Sequence, residues 1–333
     1  MSIARFFAVD RSKWHAVCDI GMNEAVAYLV ISAGTGRNHR VSGWSATAVE
    51  KYAGMHHVRA KEAISRLVVG GFFTVEAKGK LRRYELDIPD APDLIWLPLS
   101  IVEGVAGERP PLKLLRKSQN INALRIYVDL YFFHDLAGNG GCEWRPGVGI
   151  RMPFHREKVG SHGAHSLWSF SPQLRDDGHL KIECFRDAAF VFPGLFDGFS
   201  VLQRAGLIDF VEHLVDSDTG TGEIIHPLPL GSTGEAGERA ITLAALAAGR
   251  RMAPSWTPEL PDTVIVPVEA IAQNVQLIGI ARLLYKPHVK QTKAWLAQAE
   301  DWANVVDGFN RLASGIKAPH DSGIKDISRT YQG

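Results

Sequence analysis

Cysteine is scarce in this sequence: Cys18, Cys142 and Cys184 are the whole complement in 333 residues, an odd number without CxxC spacing. That excludes a disulfide framework and fits a reducing compartment, with the thiols read as small buried hydrophobes. Long apolar runs are missing too. No stretch approaches the roughly 18 to 20 apolar residues of a membrane span, and MSIARFFAVDRSKW at the N-terminus has too many charges for a secretory signal. The expected location is therefore the cytoplasm, without membrane contact. Catalytic signatures are equally lacking: there is no GxxxxGK[ST] loop, no GxSxG elbow and no HExxH helix. The glycine-rich runs 138–141 and 147–149 neither follow a clear strand nor open a helix, so they are not expected to cradle phosphate. His155, His162, His165 and His179 with Cys142 and Cys184 invite a zinc site, but they lack a second tight pair. We expect no enzyme activity, no cofactor and no metal.

What is present is a hydrophobic content of 46%, ample for a core, in a chain long enough for two or three domains. Net charge is only +1, yet it is unevenly spread. From Arg37 to Arg83 there are ten Lys/Arg against three Asp/Glu, a local net of +7, which leaves −6 for the remainder. Phosphate binding responds to local charge rather than to the sum.

That basic segment is also the most legible one. Ser45 or Thr47 can cap a first helix, and Thr47 with Glu50 fits a capping box; Ala48, Val49 and Tyr52 form its inner face. Ala53-Gly54-Met55 supplies a tight turn, because glycine has no Cβ to resist a left-handed backbone. A second helix opens near His56, with Ala60, Ala63, Ile64, Leu67 and Val68 at helical spacing and His57, Arg59, Lys61 and Arg66 outward. Gly70-Gly71 ends it, Phe72 to Val75 is β-rich, Lys78-Gly79-Lys80 is a basic turn, and Leu81 to Leu86 returns as a strand.

This order resembles the winged helix-turn-helix family over roughly residues 23–88, with Asn23 to Ile31 as the first of its helices. The resemblance implies that His56 to Arg66 is a recognition helix for the major groove and Lys78 to Arg83 a wing. The residues it implies for DNA contact are Arg40, Ser45, His56, His57, Arg59, Lys61, Arg66, Lys78, Lys80 and Arg82. A winged helix used for protein contacts, with its cations merely solvated, is the bland alternative.

Past the Pro-rich linker 89–93 the first domain (1–88) is expected to close, with Leu94 to Val102 docking on the next domain. The second domain (94–230) reads as winged-helix-like. It has a helical block at 112–136 with Ile121, Leu124, Val128, Tyr131 and Phe132 as its buried face, a Gly- and His-rich insertion at 142–178, a helical run through Phe196 and Leu202, and then Ala205-Gly206 feeding a β-hairpin. The tip of that hairpin carries Asp216, Asp218 and Glu223, which would repel phosphate, so this copy suits packing, dimerisation or a protein partner. The tandem arrangement is similar to that of plasmid replication initiators. Residues 238–316 read as a helical C-terminal region: a helix at Ala240 to Ala248, helical spacing from Ile271 to Tyr285, and an amphipathic helix from Thr292 to Leu312. A loose tail follows at 317–333. Basic clusters at Lys113, Arg116 and Lys117 and at Lys286, His288, Lys290 and Lys293 read as solvated faces.

The expected fold class is α+β. The expected function is sequence-specific double-stranded DNA binding, as a transcriptional regulator acting by site occupancy. The alternatives are an origin-binding replication initiator of a mobile element and a protein-interaction adaptor. A homodimer is expected, through the second hairpin domain or the stripe of Trp295, Trp302, Val305 and Phe309.

Overall fold

A computed structural model describes residues 6–36, 38–78, 81–105, 109–134, 141–184, 195–231, 234–258, 260, 262–284 and 293–315. The chain is a mixed α and β protein, and none of the described helices is long and apolar enough to cross a membrane.

It opens with strand β1 (Phe6–Asp10) and helix α1 (Arg11–Ile20), capped where the Lys13 amide donates to Asp10 Oδ1 at 3.0 Å. Helix α2 (Met22–Ala33) is buried on nearly every side, as its continuous apolar run requires. It starts at Gly21 rather than at the expected Asn23 cap. Strand β2 (Val41–Ser42) leads to helix α3 (Ala46–Ala53), whose cap position is Ser45. The expected Thr47–Glu50 capping box does not form: the helix begins before Thr47, and the Glu50 carboxylate lies 3.5 Å from His57 Nδ1. Gly54, left-handed at φ 67°, turns the chain into helix α4 (His57–Val69), which ends at Gly70 and at Gly71, with φ 76°.

Strands β3 (Phe73–Lys78) and β4 (Leu81–Leu86) form an antiparallel hairpin, and β2 pairs with the free edge of β4, so the sheet order is β2-β4-β3. Phe73, Tyr84 and Leu86 line its inner face, with Tyr28 of α2 stacked on Phe73 at 5.5 Å. Full burial of a Phe contributes about 1.5–3 kcal/mol.

The first unit does not close at residue 88. Strand β5 (Leu94–Pro98) returns to pair antiparallel with β1, from Phe6↔Pro98 to Asp10↔Leu94, so 89–93 is a connection within the unit rather than a domain boundary. The physical reason is that β1 has an edge to satisfy and apolar Phe7 and Val9 to bury, and among the described residues β5 is the strand that pairs with it. Helices α5 (Ser100–Glu103), α6 (Pro111–Ser118) and α7 (Ile121–Phe133) follow. Buried Asp129 on α7 accepts from His15 Nε2 of α1 at 2.8 Å, and Arg125 pairs with Asp19 at 3.1 Å. One hydrophobic cluster joins residues of both halves, from Phe7 to Trp302, and Trp144, Val215, Ile278 and Ile280 form a second, smaller one.

The second half corrects three expectations. Residues 142–178 are no insertion: strands β6 (Ile150–His162) and β7 (His165–Pro172) form a hairpin at the heart of a seven-stranded sheet, with β8 (Glu183–Cys184) added to β6. Its outer half is solvated, so His155, Glu157 and Lys158 dilute the apolar alternation that marks a strand. Helix α8 (Leu195–Arg204) and strands β9 (Ile208–Val215) and β10 (Ile224–Pro227) keep the expected order. Their hairpin is no free wing, however, because β9 pairs along its whole length with β12 (Gln276–Leu283).

That strand is the third correction, since helical spacing was expected from Ile271 to Tyr285. A strand covered on both faces loses its alternation and mimics a helix in a short apolar run. With β11 (Val264–Glu269) paired to β7, the C-terminal region is mixed rather than helical. It also contains helices α9 (Ala236–Met252) and α10 (Lys293–Gly315). Trp302 of α10 is buried over Gly237 of α9, and Val305 and Phe309 pack on the core. The proposed dimer stripe is thus covered by its own chain at these three positions. The side chain of Trp295, the cluster at Lys286, His288 and Lys290, and the tail 317–333 lie outside the described residues.

Beneath this sheet, Arg282 of β12 spans Glu238 and His213. Its Nη1 donates to Glu238 Oε2 at 2.9 Å and its Nη2 to His213 Nε2 at 2.8 Å, while His213 Nδ1 donates to Val211 O at 2.8 Å. Burial first, and the Arg282 charge second, push the His213 pKa down to about 3, so this imidazole stays neutral.

Candidate functional site

The turn between α3 and α4 lies against α6. Arg116 Nη1 donates to the carbonyls of Ala53 at 3.3 Å and Gly54 at 3.1 Å, satisfying acceptors that the end of α3 leaves open. Lys113 lies along the same turn, its Cε 3.3 Å from where a side chain on Gly54 would begin. The Arg116 pKa is lowered, first by desolvation and then by the nearby charge of Arg59 on α4. Helix α6 thereby adds Lys113, Arg116 and the exposed Lys117 to the basic surface of the helical pair. Their nearness to Glu103 and Glu108 in sequence hid this, and only the packing of α6 against α3 reveals it.

On α4 the residues divide by angle. Ala60, Ala63, Ile64 and Leu67 are buried; at about 100° per residue, the positions directly opposite are Val58, Glu62, Ser65 and Val69, all exposed. Lys61 flanks this row on one side and Arg59 on the other, both exposed. His56 is the cap, its Nδ1 accepting from the Val58 amide at 3.4 Å, and His57 faces Glu50. Arg66 is exposed but committed: its Nε lies 2.9 Å from Glu24, which is 4% exposed on α2. That ion pair, formed by the last turn of α4 with the start of α2, removes Arg66 from the free cations of the surface.

The remaining expected site residues also separate. Ser45 is half-buried at the start of α3 and makes no side-chain capping bond. Lys78 pairs with Leu81 at the hairpin end, and Lys80 lies outside the described residues. Arg82, opposite Ala77, is exposed on the face shared with Tyr84 and Leu86, whereas Arg83 stands directly opposite Glu76. Arg40 is far from this tip, because its carbonyl accepts from the Leu86 amide at 2.9 Å. Leu81 to Leu86 is five steps of strand, about 17 Å at about 3.4 Å each. Arg40 therefore does not join the hairpin-tip cations.

The other candidate chemistries do not converge. Among the described residues, no three His, Cys, Asp or Glu side chains are grouped to hold a metal. His162 and His165 face each other across a tight turn, and burial raises the Cys18 thiol well above its usual range, which makes it a poor nucleophile. The arrangement that remains is a surface made of the outward row of α4, its flanks Arg59 and Lys61, and the cations of α6 beside the α3–α4 turn.

Comparison with protein-family models, curated proteins and solved structures finds no match for this chain.

Proposed function

We propose that this chain is a sequence-specific double-stranded DNA-binding protein, in which α2, α3 and α4 with the β2-β4-β3 sheet form a winged helix-turn-helix and the whole acts as a cytoplasmic transcriptional regulator by occupying its site. The observation that carries this reading is the Gly54 turn, which leaves the N-terminal half of α4 exposed between Arg59 and Lys61 with α6 adding further cations beside it. Such a helix fits the major groove, where its first turns meet base edges while flanking cations meet phosphates. Regulation is preferred over replication because the sequence carries no nucleotide or catalytic signature.

Pairing two heads would extend the site read. With Trp302, Val305 and Phe309 of α10 packed on their own chain, the surface best suited to a second copy is edge strand β10 with exposed Ile224 and Ile225. Light scattering across dilution, with and without duplex, tests this; a strict monomer throughout removes it.

The DNA reading itself is tested by titrating salt against random duplex. Affinity should fall with a log–log slope of about −0.9 per phosphate contacted. Binding that is absent at low salt, or indifferent to salt, refutes it.

A further inference from the structure

One acidic residue stands where a phosphate-binding surface should have none. Glu62 is exposed in the middle of the outward row of α4, one turn on from Val58 and one turn before Ser65. Its charge opposes the cations around it. Nothing in the fold accounts for it: among the described residues no ion pair to Glu62 is present, and the cation four residues on, Arg66, is held by Glu24. The helix dipole does not account for it either, because the effect fades within the first turn and Glu62 is the sixth residue of a helix that begins at His57.

Resting on the DNA reading above, we propose that Glu62 is a specificity-determining residue, its carboxylate accepting a hydrogen bond from the N4 amino group of a cytosine in the major groove. Carboxylates are the side chains suited to that donor, and the neighbours on the row match the same task. Val58, 54% exposed, offers an apolar contact for a thymine methyl group, and the Ser65 hydroxyl suits either donor or acceptor. Val58 to Ser65 covers about 10 Å of helix, the length of about three base-pair steps at about 3.4 Å. A carboxylate in this place lowers affinity for DNA in general while favouring one base pair, a trade that suits a sequence reader and not a mere phosphate binder.

The test selects bound fragments from random duplex with the full-length protein, its Glu62→Gln variant and its Glu62→Ala variant. Affinity is then measured on the selected and on random duplex. The wild type should require cytosine at one position of its motif. Glu62→Ala should relax that position, with discrimination falling on the order of tenfold, and Glu62→Gln should shift it towards adenine, the base glutamine suits. Both variants should bind random duplex more tightly than the wild type. Identical motifs in all three proteins overturn the role of Glu62 and leave the DNA reading intact. A wild type that binds no duplex at any salt overturns that reading, and this proposal with it. Because the side chain is exposed, unchanged melting temperatures are expected and separate specificity from folding.

Discussion

Arg116 serves two purposes that can be measured apart. Its guanidinium supports the α3–α4 turn through the Ala53 and Gly54 carbonyls, and it places a positive charge beside Arg59 on the candidate surface. Arg116→Ala removes both. A charge-assisted hydrogen bond contributes about 1.5–3 kcal/mol; two long bonds from one Nη1 amino group at a half-buried position belong at the low end, so the loss should be about 1–2 kcal/mol. Relief of repulsion with Arg59 offsets a part of it. Each kcal/mol shifts the melting temperature of a chain this large by about 2 °C or less.

For duplex binding, losing one phosphate contact should flatten the log–log salt slope by about 0.9. Across a fourfold rise in salt the variant should therefore lose about 3.5-fold less affinity than the wild type. Arg116→Lys separates the two purposes, since it keeps the charge but not the planar fork. It should retain the salt slope while losing part of the stability. Calorimetry and fluorescence anisotropy on random duplex provide the readouts. If Arg116→Ala leaves both the melting temperature and the salt slope of the wild type, the assignment of α6 to this surface is refuted.

Other outcomes follow from the same contacts. Arg66→Ala should cost about 1–3 kcal/mol of stability by leaving buried Glu24 unpaired, yet change the salt slope little; a stable variant with a flatter slope would mean that Arg66 meets DNA after all. Gly54→Ala should destabilise by about 1–2 kcal/mol, because φ 67° is unfavourable for an L side chain, and a melting curve that matches the wild type would refute that account. His213 has its pKa lowered to about 3 in the folded state, against about 6.5 when unfolded. Between those values only the unfolded chain takes up the proton, so stability should decline as pH falls from 6.5 towards 3, by up to about 1.4 kcal/mol per pH unit. His226, also lowered by burial, adds in the same direction. Denaturant midpoints across this range, for the wild type and for His213→Gln, check it; identical pH slopes would discard the role of His213.

The sequence by itself determined what depends on near neighbours. The Gly54 turn, the inner face of α4 at Ala60, Ala63, Ile64 and Leu67, and the β3–β4 hairpin all rest on spacings of a few residues and on turn chemistry, and each is present in the fold. The concentration of positive charge between Arg37 and Arg83 was legible for the same reason. Tertiary structure decided everything that depends on which distant segment fills an open edge or meets a charge. Strand β5 returns to β1 because that edge needs hydrogen bonds, a need no local pattern expresses. The two-faced burial of β12 erased its alternation, and the solvated outer half of β6 diluted its own, so the central sheet was hidden in the composition. On the candidate surface, Arg66 and Arg116 carry the same side chain, but Arg66 meets buried Glu24 and Arg116 meets the carbonyls of a turn 62 and 63 residues away. Charge is written in the sequence; its partner is set by packing, because ionic and hydrogen-bonding interactions at a few ångströms depend on which elements the core brings together.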